Sequence, residues 1–321
     1  MTESELLQLS DQQLQDFREK GYCLVSGVLD KETCRKFDKE IVLPALLEYG
    51  GLDESDETTW TSSLLQSMAT GDFNKNIPEI LPGVMIRKPD GSDPINDVDC
   101  IDLSMLHPIL DQLHNISDGN KDLDRNWQWL HTNIGWIHVR LPIDSIKEKK
   151  ELSTYHVDGG HFSPHFVDSP EQSIIILPMI RSVQEGGGNT IVLEKSHIYF
   201  AQQLQREGNG IPKNQTQNLS HIARFWPDEL IKEIAPCGIG DILLMHPFLV
   251  HSAGQASKGH PIRIAFNMGV RWKRKPVVPI VENEDSNTNR NSSWLEQSIS
   301  WCLNQSTKSF LKDTDENFWQ S

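Results

Sequence analysis

The sequence predicts a mainly β protein with flanking helices, in which the core strands form an antiparallel sandwich or jelly roll. After Trp127, short runs rich in β-branched and aromatic residues alternate with Gly, Pro and Asp, which is the composition of short strands joined by turns. Helical periodicity is concentrated before this point and at the end of the chain. Many short strands with irregular turns favour an antiparallel core over a parallel α/β sheet.

We predict one domain over residues 1–321, beginning with a helical N-terminal part at residues 1–126. Polar, poorly periodic sequence between residues 50 and 100 predicts long loops there. The predicted elements of this part are a Ser/Asp-capped helix at Asp11–Lys20, a strand between Gly21 and Gly27, a helix from Lys31 to about Leu47, a short helix around Ser62–Ala69 and a helix at Leu103–Ile116.

Residues 127–278 form the predicted jelly-roll core, which a polar insertion at Gln202–Trp226 interrupts. Residues 279–321 begin with an acidic, Asn/Ser-rich linker and continue into an amphipathic helix at Trp294–Leu303, which we expect to pack back onto the body. The core strands are predicted at Ile134–Leu141, Ser173–Ile180, Thr190–Leu193, Asp241–Met245 and Ile262–Trp272.

Composition excludes several functions. The 321 residues carry 45 acidic and 30 basic side chains, a net charge of −15, which argues against a protein that covers nucleic acid with a cationic face. No apolar stretch approaches the roughly 20 residues of a membrane span. There is no secretory signal and no C-terminal peroxisomal signal, and the five scattered cysteines indicate reduced thiols. We therefore expect an intracellular, cytoplasmic protein without nucleic-acid or membrane partners, and its oligomeric state is open.

The segment YHVDGG at residues 155–160 carries the first chemically informative pair. Residues two apart in a strand project to the same face, so His156 and Asp158 can reach one point. One imidazole and one carboxylate are two of the three ligands of a 2-His-1-carboxylate metal site, which keeps positions open for a co-substrate and oxygen. A hydrogen-bonded pair without a metal is the structural alternative.

A third ligand is predicted about 90 residues later. The stretch GDILLMHPFLVH at residues 240–251 predicts a turn, a buried strand and a bend that delivers His251. Twelve residues beyond it, Arg263 stands in an apolar strand, where a guanidinium is costly unless it is paired or binds an anion. Its planar fork suits the far carboxylate of a dicarboxylate, and a structural salt bridge is the alternative.

Together these residues resemble the phytanoyl-CoA dioxygenase family of Fe(II)- and 2-oxoglutarate-dependent oxygenases, over about residues 10–275. The resemblance implies a double-stranded β-helix (jelly roll, cupin-like) core, with His156, Asp158 and His251 as metal ligands and catalytic residues. It implies Arg263 as the arginine that binds 2-oxoglutarate. Arg140, on the strand ahead of the metal pair, resembles the family's basic residue near the other carboxylate of the co-substrate.

The activity implied by the resemblance is hydroxylation of a small-molecule substrate by O2, with release of succinate and CO2. Fe(II) and 2-oxoglutarate are the implied cofactor and co-substrate, and ascorbate is a further candidate. Retention of Asp158 speaks against a halogenase, in which the carboxylate is lost to make room for halide. The sequence does not indicate whether the substrate is a CoA ester. A cupin-like metal enzyme that does not use 2-oxoglutarate, and a non-catalytic binding module on the same barrel, remain open alternatives.

The sequence departs from the family pattern at three places. Val157 is apolar where a polar residue usually separates the first two ligands. The Gly-Ser-His turn before the insertion appears as EKSH at residues 194–197, without its Pro-Gly. A serine that often contacts the co-substrate two positions after the second histidine is replaced by Ala253, and Ser252, one position earlier, is the candidate for that contact.

Other histidines compete for the metal. Strand alternation could place His246 inward instead of His251, and His161 and His165 follow the first pair closely. His138 alternates with Arg140 on one face of its strand, so that both are predicted to line the pocket.

Overall fold

A computed structural model of the chain describes residues 7–61, 83–86, 88, 101–115, 125–130, 136–144, 148–152, 154–159, 162–278 and 292–307. The predicted short helix around Ser62–Ala69, most of the predicted loops up to residue 100, and the acidic linker after residue 278 lie outside these residues.

Strands dominate the core, and helices lie on its flanks. The strands are β1 (Tyr22–Val25), β2 (Gly83–Met85), β3 (Trp127–Trp129), β4 (Trp136–Arg140), β5 (Pro142–Ile143), β6 (Ile174–Pro178), β7 (Thr190–Leu193), β8 (Ile231–Glu233), β9 (Ile242–Met245), β10 (His251–Ala253), β11 (Ala256–Ser257) and β12 (Arg263–Trp272). The α-helices are α1 (Asp11–Lys20), α2 (Lys31–Phe37), α3 (Leu43–Gly50), α4 (His107–Leu113), α5 (Ser196–Arg206), α6 (Lys213–Thr216), α7 (Ser220–Phe225) and α8 (Trp294–Leu303). The predicted mainly β class with flanking helices is confirmed.

The strands form two main sheets that are antiparallel throughout. The larger sheet runs in the order β1-β9-β6-β12-β4-β2, and β3 pairs with the far end of β12. The smaller sheet has the order β10-β7-β8, and β5 and β11 form a separate parallel pair. This arrangement is consistent with a jelly roll, and closure into one stays a prediction. Because β12 belongs to the larger sheet and β10 to the smaller one, side chains from both can meet between them.

The predicted core strands agree with the structure to within two residues at each end. Strands β6, β7 and β9 are buried along their whole length, which explains their unbroken apolar sequence. In the N-terminal part, α1 agrees with its prediction at both ends, the helix predicted from Lys31 to about Leu47 continues to Gly50, and the one predicted at Leu103–Ile116 is a 3-10 turn followed by α4. Helix α1 starts with a capping box between Ser10 and Gln13 and ends at Gly21, whose left-handed φ of 92° a side chain would strain. Helix α2 passes through a π-helical turn, Asp38–Val42, directly into α3.

The polar insertion predicted at Gln202–Trp226 lies between β7 and β8, but it is helical and contributes to the core. This segment contains most of α5, together with α6 and α7. Leu219, Ile222, Ala223 and Trp226 are buried in an apolar cluster, and their spacing of 0, 3, 4 and 7 residues is that of one helical face. Polar residues outnumber apolar residues in this segment. The average polarity of the segment therefore concealed the contribution of these four residues to the core.

The predicted C-terminal helix packs onto the body as expected. Helix α8 begins with a capping box between Ser293 and Glu296. The side-chain amide of Gln202, on α5, donates to the carbonyl of Cys302 at 3.0 Å and to that of Gln305 at 2.7 Å. These bonds join α5 to the last turn of α8 and to the residues directly after it.

Two further expectations concern the chain as a whole. Cys23, Cys34, Cys237 and Cys302 are buried free thiols, in agreement with the prediction of reduced cysteines, and Cys100 lies outside the described residues. Among the helices that the structure describes, none is both long enough and apolar enough to cross a membrane.

Buried histidines predict that stability falls in mild acid. Burial lowers the pKa of His114 and of His197 to about 4, and lowers the pKa of His246 well below its ordinary value of 6.5. Between pH 6.5 and 4 the unfolded chain therefore binds protons that the folded chain does not. Each histidine should lower the free energy of unfolding by up to about 1.4 kcal/mol per pH unit in this window. Above pH 6.5 these residues should cause no pH dependence.

Urea unfolding at pH 7, 6 and 5 measures this slope. The variant His114→Gln can form hydrogen bonds but cannot bind the proton, so its free energy of unfolding should fall less steeply with decreasing pH than that of the wild type. A free energy that stays constant from pH 7 to pH 5 would contradict the prediction.

Candidate metal site and adjoining arginines

The side chains of His156, Asp158 and His251 converge on one point. Each offers one ligand atom, and the three atoms lie within 4.8 Å of one another. Oδ1 of Asp158 lies 3.1 Å from Nε2 of His156 and 3.7 Å from Nε2 of His251. Elsewhere in the described part of the chain, no three His, Cys, Asp or Glu side chains meet in this way. Two imidazoles and a carboxylate at this spacing are suited to binding one divalent metal ion.

The backbone brings these ligands together in a way that the sequence did not predict. His156 and Asp158 do not lie in a strand: residue 156 makes an isolated β-bridge with His251, and residue 158 lies in a bend. The bridge has two hydrogen bonds of 2.9 Å, one from each backbone N–H. On the other side, the N–H of Val157 donates to the carbonyl of Thr216 at 3.0 Å. The last residue of α6 therefore takes the place of a neighbouring strand.

Val157 itself accounts for one departure from the family pattern. Its side chain is fully buried and belongs to the same apolar cluster as Leu219 and Trp226. Because it alternates with His156 and Asp158, it points away from the metal ligands into the core. An apolar residue between the two ligands therefore stabilises this segment. Tyr155 is also fully buried, as predicted for a core residue.

Each candidate ligand is oriented by a second hydrogen bond. Nδ1 of His156 lies 2.7 Å from the carbonyl of Thr154, and Nδ1 of His251 lies 3.0 Å from the carbonyl of Leu249. Since a carbonyl only accepts, both rings carry a proton on Nδ1 and direct Nε2 to the shared point. Backbone partners of this kind fix the ring orientation of metal-binding histidines.

Asn267 orients the carboxylate, and the sequence analysis missed it. Its side-chain amide donates to Oδ2 of Asp158 at 2.9 Å, which leaves Oδ1 directed at the two histidines. Asn267 stands four residues after Arg263 on β12, so both side chains project from the same face of the strand. A polar residue at that spacing in an otherwise apolar strand was the pattern that could have revealed it.

The protonation states of Asp158 and His251 suit a metal cation, whereas Asp158 raises the pKa of His156 against the effect of burial. Burial alone would raise the pKa of Asp158, but His251, His156 and Asn267 together hold it below its ordinary value. Burial, with a further effect of His156, lowers the pKa of His251 to about 4. At neutral pH the carboxylate is therefore ionised and His251 is neutral, which are the forms that bind metals.

Two arginines face each other on the sheet next to this site. In the register of β12 and β4, Arg263 pairs with Arg140, and Ala265 pairs with His138. Residues directly opposite each other in an antiparallel pair share a face. The four side chains therefore share the face that carries Asn267, and the position of the arginine pair is four residues along β12 from Asn267.

Neither arginine is neutralised by a carboxylate of the described residues. Arg263 is only 5% exposed. Its Nη2 donates to the side-chain oxygens of Asn189 and Thr190 at 3.1 and 3.4 Å, and its Nε is buried without a hydrogen-bond partner. Arg140 is half-buried and donates to the carbonyl of Val139 at 3.2 Å. The salt bridge considered as an alternative for Arg263 is not found among these residues.

The two guanidinium groups remain charged despite their surroundings. Burial lowers the pKa of Arg140 to about 10. Burial, with a further effect of Arg140, lowers that of Arg263 to about 9. At neutral pH this face therefore carries two neighbouring positive charges. A buried cation without a counter-ion is costly, so the geometry favours a bound anion with more than one acceptor oxygen.

Three other predicted residues have clear positions. His138 has no hydrogen-bond partner among the described residues for its buried Nε2, and burial followed by the charge of Arg140 lowers its pKa to about 3. His246 is fully buried against the rings of Phe17 and His197 and is not part of the metal-ligand group. His165 is also buried outside that group, and His161 lies outside the described residues.

Ser252 is the last of the predicted site residues. Its side chain is fully buried, and its hydroxyl is hydrogen-bonded to that of Thr154. The hypothesis that it contacts the co-substrate stays a prediction.

Replacing Asn267 by alanine is expected to weaken metal binding by about 10- to 100-fold, the usual cost of losing an outer partner of a ligand. Asp158 would keep its place in the chain but lose the bond that sets its rotation. Competition with a chromophoric chelator measures the affinity for Co(II) or Fe(II). Asn304→Ala is a matched control, because its amide bonds only the carbonyl of Ser300 on the exposed end of α8. Equal metal affinity in wild type and Asn267→Ala would show that this hydrogen bond is unimportant.

Known proteins resemble this chain in structure, but none of those compared matches it in sequence. No protein-family model matches the sequence, and no curated protein matches it. The fold is similar to that of the non-heme alpha ketoglutarate dependent epimerase SnoN from nogalamycin biosynthesis, at 17% identity over 81% of each chain with a TM-score of 0.41. It is also similar to HygX from Streptomyces hygroscopicus with nickel, 2-oxoglutarate and hygromycin B bound, at 14% identity over 86% of this chain and 94% of that one, with a TM-score of 0.43.

Proposed function

We propose that the protein is an Fe(II)- and 2-oxoglutarate-dependent dioxygenase that hydroxylates a small molecule, with one active site between its two sheets. The observation that carries this proposal is a single arrangement. Three metal-ligand atoms within 4.8 Å of one another adjoin a sheet face on which two arginines oppose each other without a carboxylate partner among the described residues. The three ligand atoms suit a metal ion, and the two arginines suit a dicarboxylate.

The side chains present fit Fe(II). Two imidazoles and one carboxylate, each oriented by a second hydrogen bond, form the donor set of non-haem iron oxygenases, which keeps positions open for other ligands. His156, Asp158 and His251 would hold the ion. Bound Fe(II) would supply the activation of O2 that couples oxidation of 2-oxoglutarate to succinate and CO2 with hydroxylation of the substrate.

The protein's own residues would bind and orient the co-substrate. Arg263, held by Asn189 and Thr190, would bind the far carboxylate through its planar fork. Arg140 would lie near the other carboxylate. Ala265 stands between Arg263 and Asn267 on this face, and its small side chain leaves space along the strand. Four residues of strand span about 13 Å, which is enough for a five-carbon dicarboxylate between an arginine side chain and the metal ligands.

The arrangement favours this function over its two rivals. A cupin-like metal enzyme that does not use 2-oxoglutarate has no need for buried cations beside the metal. A non-catalytic module has no need for ligands whose orientation and protonation both suit a metal. Membership of the phytanoyl-CoA dioxygenase family, the use of ascorbate and the identity of the substrate stay predictions.

Anaerobic titration tests the proposal. Fe(II) is added to the metal-free protein, followed by 2-oxoglutarate, and the visible spectrum is recorded. The expected result is a weak charge-transfer band that saturates at one equivalent. Glutarate, which has both carboxylates but no 2-oxo group, is the matched control and should give no band. Absence of the band from protein with bound Fe(II) would refute the leading function.

Succinate release in air separates the rivals further. A screen of small metabolites with the Fe(II)- and 2-oxoglutarate-loaded protein should identify compounds that increase succinate formation. Metal binding without 2-oxoglutarate binding would favour the cupin-like enzyme. Binding of both without succinate release for any metabolite would favour the non-catalytic module.

A further inference from the structure

A pair of hydroxyl groups joins the two chain segments that carry the histidine ligands. Oγ1 of Thr154 lies 2.5 Å from Oγ of Ser252. Thr154 precedes His156 by two residues, and Ser252 directly follows His251. The bond therefore lies beside the double hydrogen bond of the bridge between His156 and His251.

The two joined segments differ in how firmly they are held. His251 and Ser252 belong to β10, where they pair with Val192 and Ile191 of β7. His156 lies outside the strands, and Thr154 lies in an exposed turn. A bond between them therefore connects the less constrained ligand segment to the sheet.

Thr154 also controls the His156 ring directly. Its carbonyl oxygen lies 2.7 Å from Nδ1 of that ring, and this contact decides which nitrogen faces the metal. Any displacement of Thr154 would therefore rotate or tilt the imidazole. Ser252 alternates with His251 along β10, so its side chain points to the opposite side of the strand from the ligand.

We propose that the Thr154–Ser252 hydroxyl pair positions His156 for metal binding by fixing the carbonyl of Thr154 relative to β10. The proposal rests on the proposed function only in that it requires a metal at this site. Thr154 and Ser252 are positioning residues in this proposal, because neither is one of the three candidate metal ligands and both act on His156 through the carbonyl of Thr154.

Four variants test the pair. Thr154→Val and Ser252→Ala remove one hydroxyl each, and the double variant removes both. Thr154→Ser keeps the hydroxyl and serves as the conservative rescue. Thr58→Val is the matched control, because Thr58 is an exposed threonine whose hydroxyl bonds Asp56, outside the site. Three quantities are measured for each: the Kd for Co(II), the Kd for 2-oxoglutarate at saturating metal, and Tm.

We expect Thr154→Val and Ser252→Ala each to weaken Co(II) binding by about 10-fold, the lower end for outer partners of a metal ligand. The double variant should be no weaker than either single variant, because one bond is lost in all three. Thr154→Ser and Thr58→Val should bind Co(II) as the wild type does. The Kd for 2-oxoglutarate at saturating metal should not change.

Several outcomes would overturn the inference. A lower Tm with an unchanged Kd for Co(II) would show that the pair stabilises the fold and does not position the ligand. Weaker 2-oxoglutarate binding in Ser252→Ala, with Co(II) affinity unchanged, would make Ser252 a co-substrate contact. Additive losses in the double variant would show that the two hydroxyls act separately. A wild type that binds no divalent metal would instead refute the proposed function itself.

Discussion

Replacing Asp158 by alanine is expected to abolish succinate formation and to weaken metal binding more than any outer partner does, that is, by more than about 100-fold. Asp158 supplies the only negative charge among the three candidate ligands, and its Oδ1 faces both histidines at 3.1 and 3.7 Å. Its loss would leave two imidazoles, and the ion would lose its only anionic ligand among the three candidate side chains. The amide of Asn267 would also lose its acceptor.

The Kd for Fe(II) or Co(II) and the rate of succinate release measure this effect. Asp144→Ala is the matched control, because Asp144 is 71% exposed and pairs with Lys258 at 3.0 Å, away from the ligands. This control should bind metal and release succinate as the wild type does. Unchanged turnover in Asp158→Ala would refute the ligand assignment.

Replacing Arg263 by alanine is expected to raise the Kd for 2-oxoglutarate by more than one order of magnitude. Removal of one partner of a buried charge pair costs about 2 to 5 kcal/mol, which corresponds to about 30- to 5,000-fold in affinity. The metal ligands are untouched, so the Kd for Co(II) should stay that of the wild type. The rate at saturating 2-oxoglutarate should fall much less than the rate at low concentration. Arg263→Lys keeps the charge but not the fork, and an intermediate affinity is expected.

Titration of the charge-transfer band with 2-oxoglutarate gives this Kd. Arg271→Ala is the matched control, since Arg271 lies on the same strand with an exposed side chain. A Kd that is equal in Arg263→Ala and wild type would mean that Arg263 has a structural role through Asn189 and Thr190. Tm measured beside the affinity separates a loss of folding from a loss of binding.

Local patterns were sufficient to predict the strands β1, β4, β6, β7, β9 and β12 and the possible ligands, whereas the six other described strands, none longer than three residues, were not predicted. Strands β6, β7 and β9 are short apolar runs bounded by turn residues, and the Ser10 cap and Gly21 mark both ends of α1. Both kinds of pattern depend on neighbours within about four residues, and a sequence contains that information. The sequence could therefore identify His156, Asp158, His251 and Arg263 as candidates, although their convergence depended on the fold.

Predictions that required knowledge of distant neighbours were less successful. The strand expected around His156 is replaced by a bridge to His251 and a contact with Thr216. The role of Asn267 depends on Asp158, 109 residues away. The polarity of neighbouring residues does not predict the conformation at His156 or the role of Asn267, because in both cases the hydrogen-bond partner comes from a distant part of the chain.

The sequence by itself determined the chemical groups available for a metal and a dicarboxylate, and the mainly β scaffold that holds them. Only the tertiary structure decided that Oδ1 of Asp158 faces both histidines and that Arg140 opposes Arg263 on the same sheet face. It also decided that Ser252 bonds Thr154. The physical reason is that metal and anion binding depend on distances of a few ångströms between side chains. Those distances are set by strand register and by hydrogen bonds between segments about 100 residues apart, which no short stretch of sequence contains.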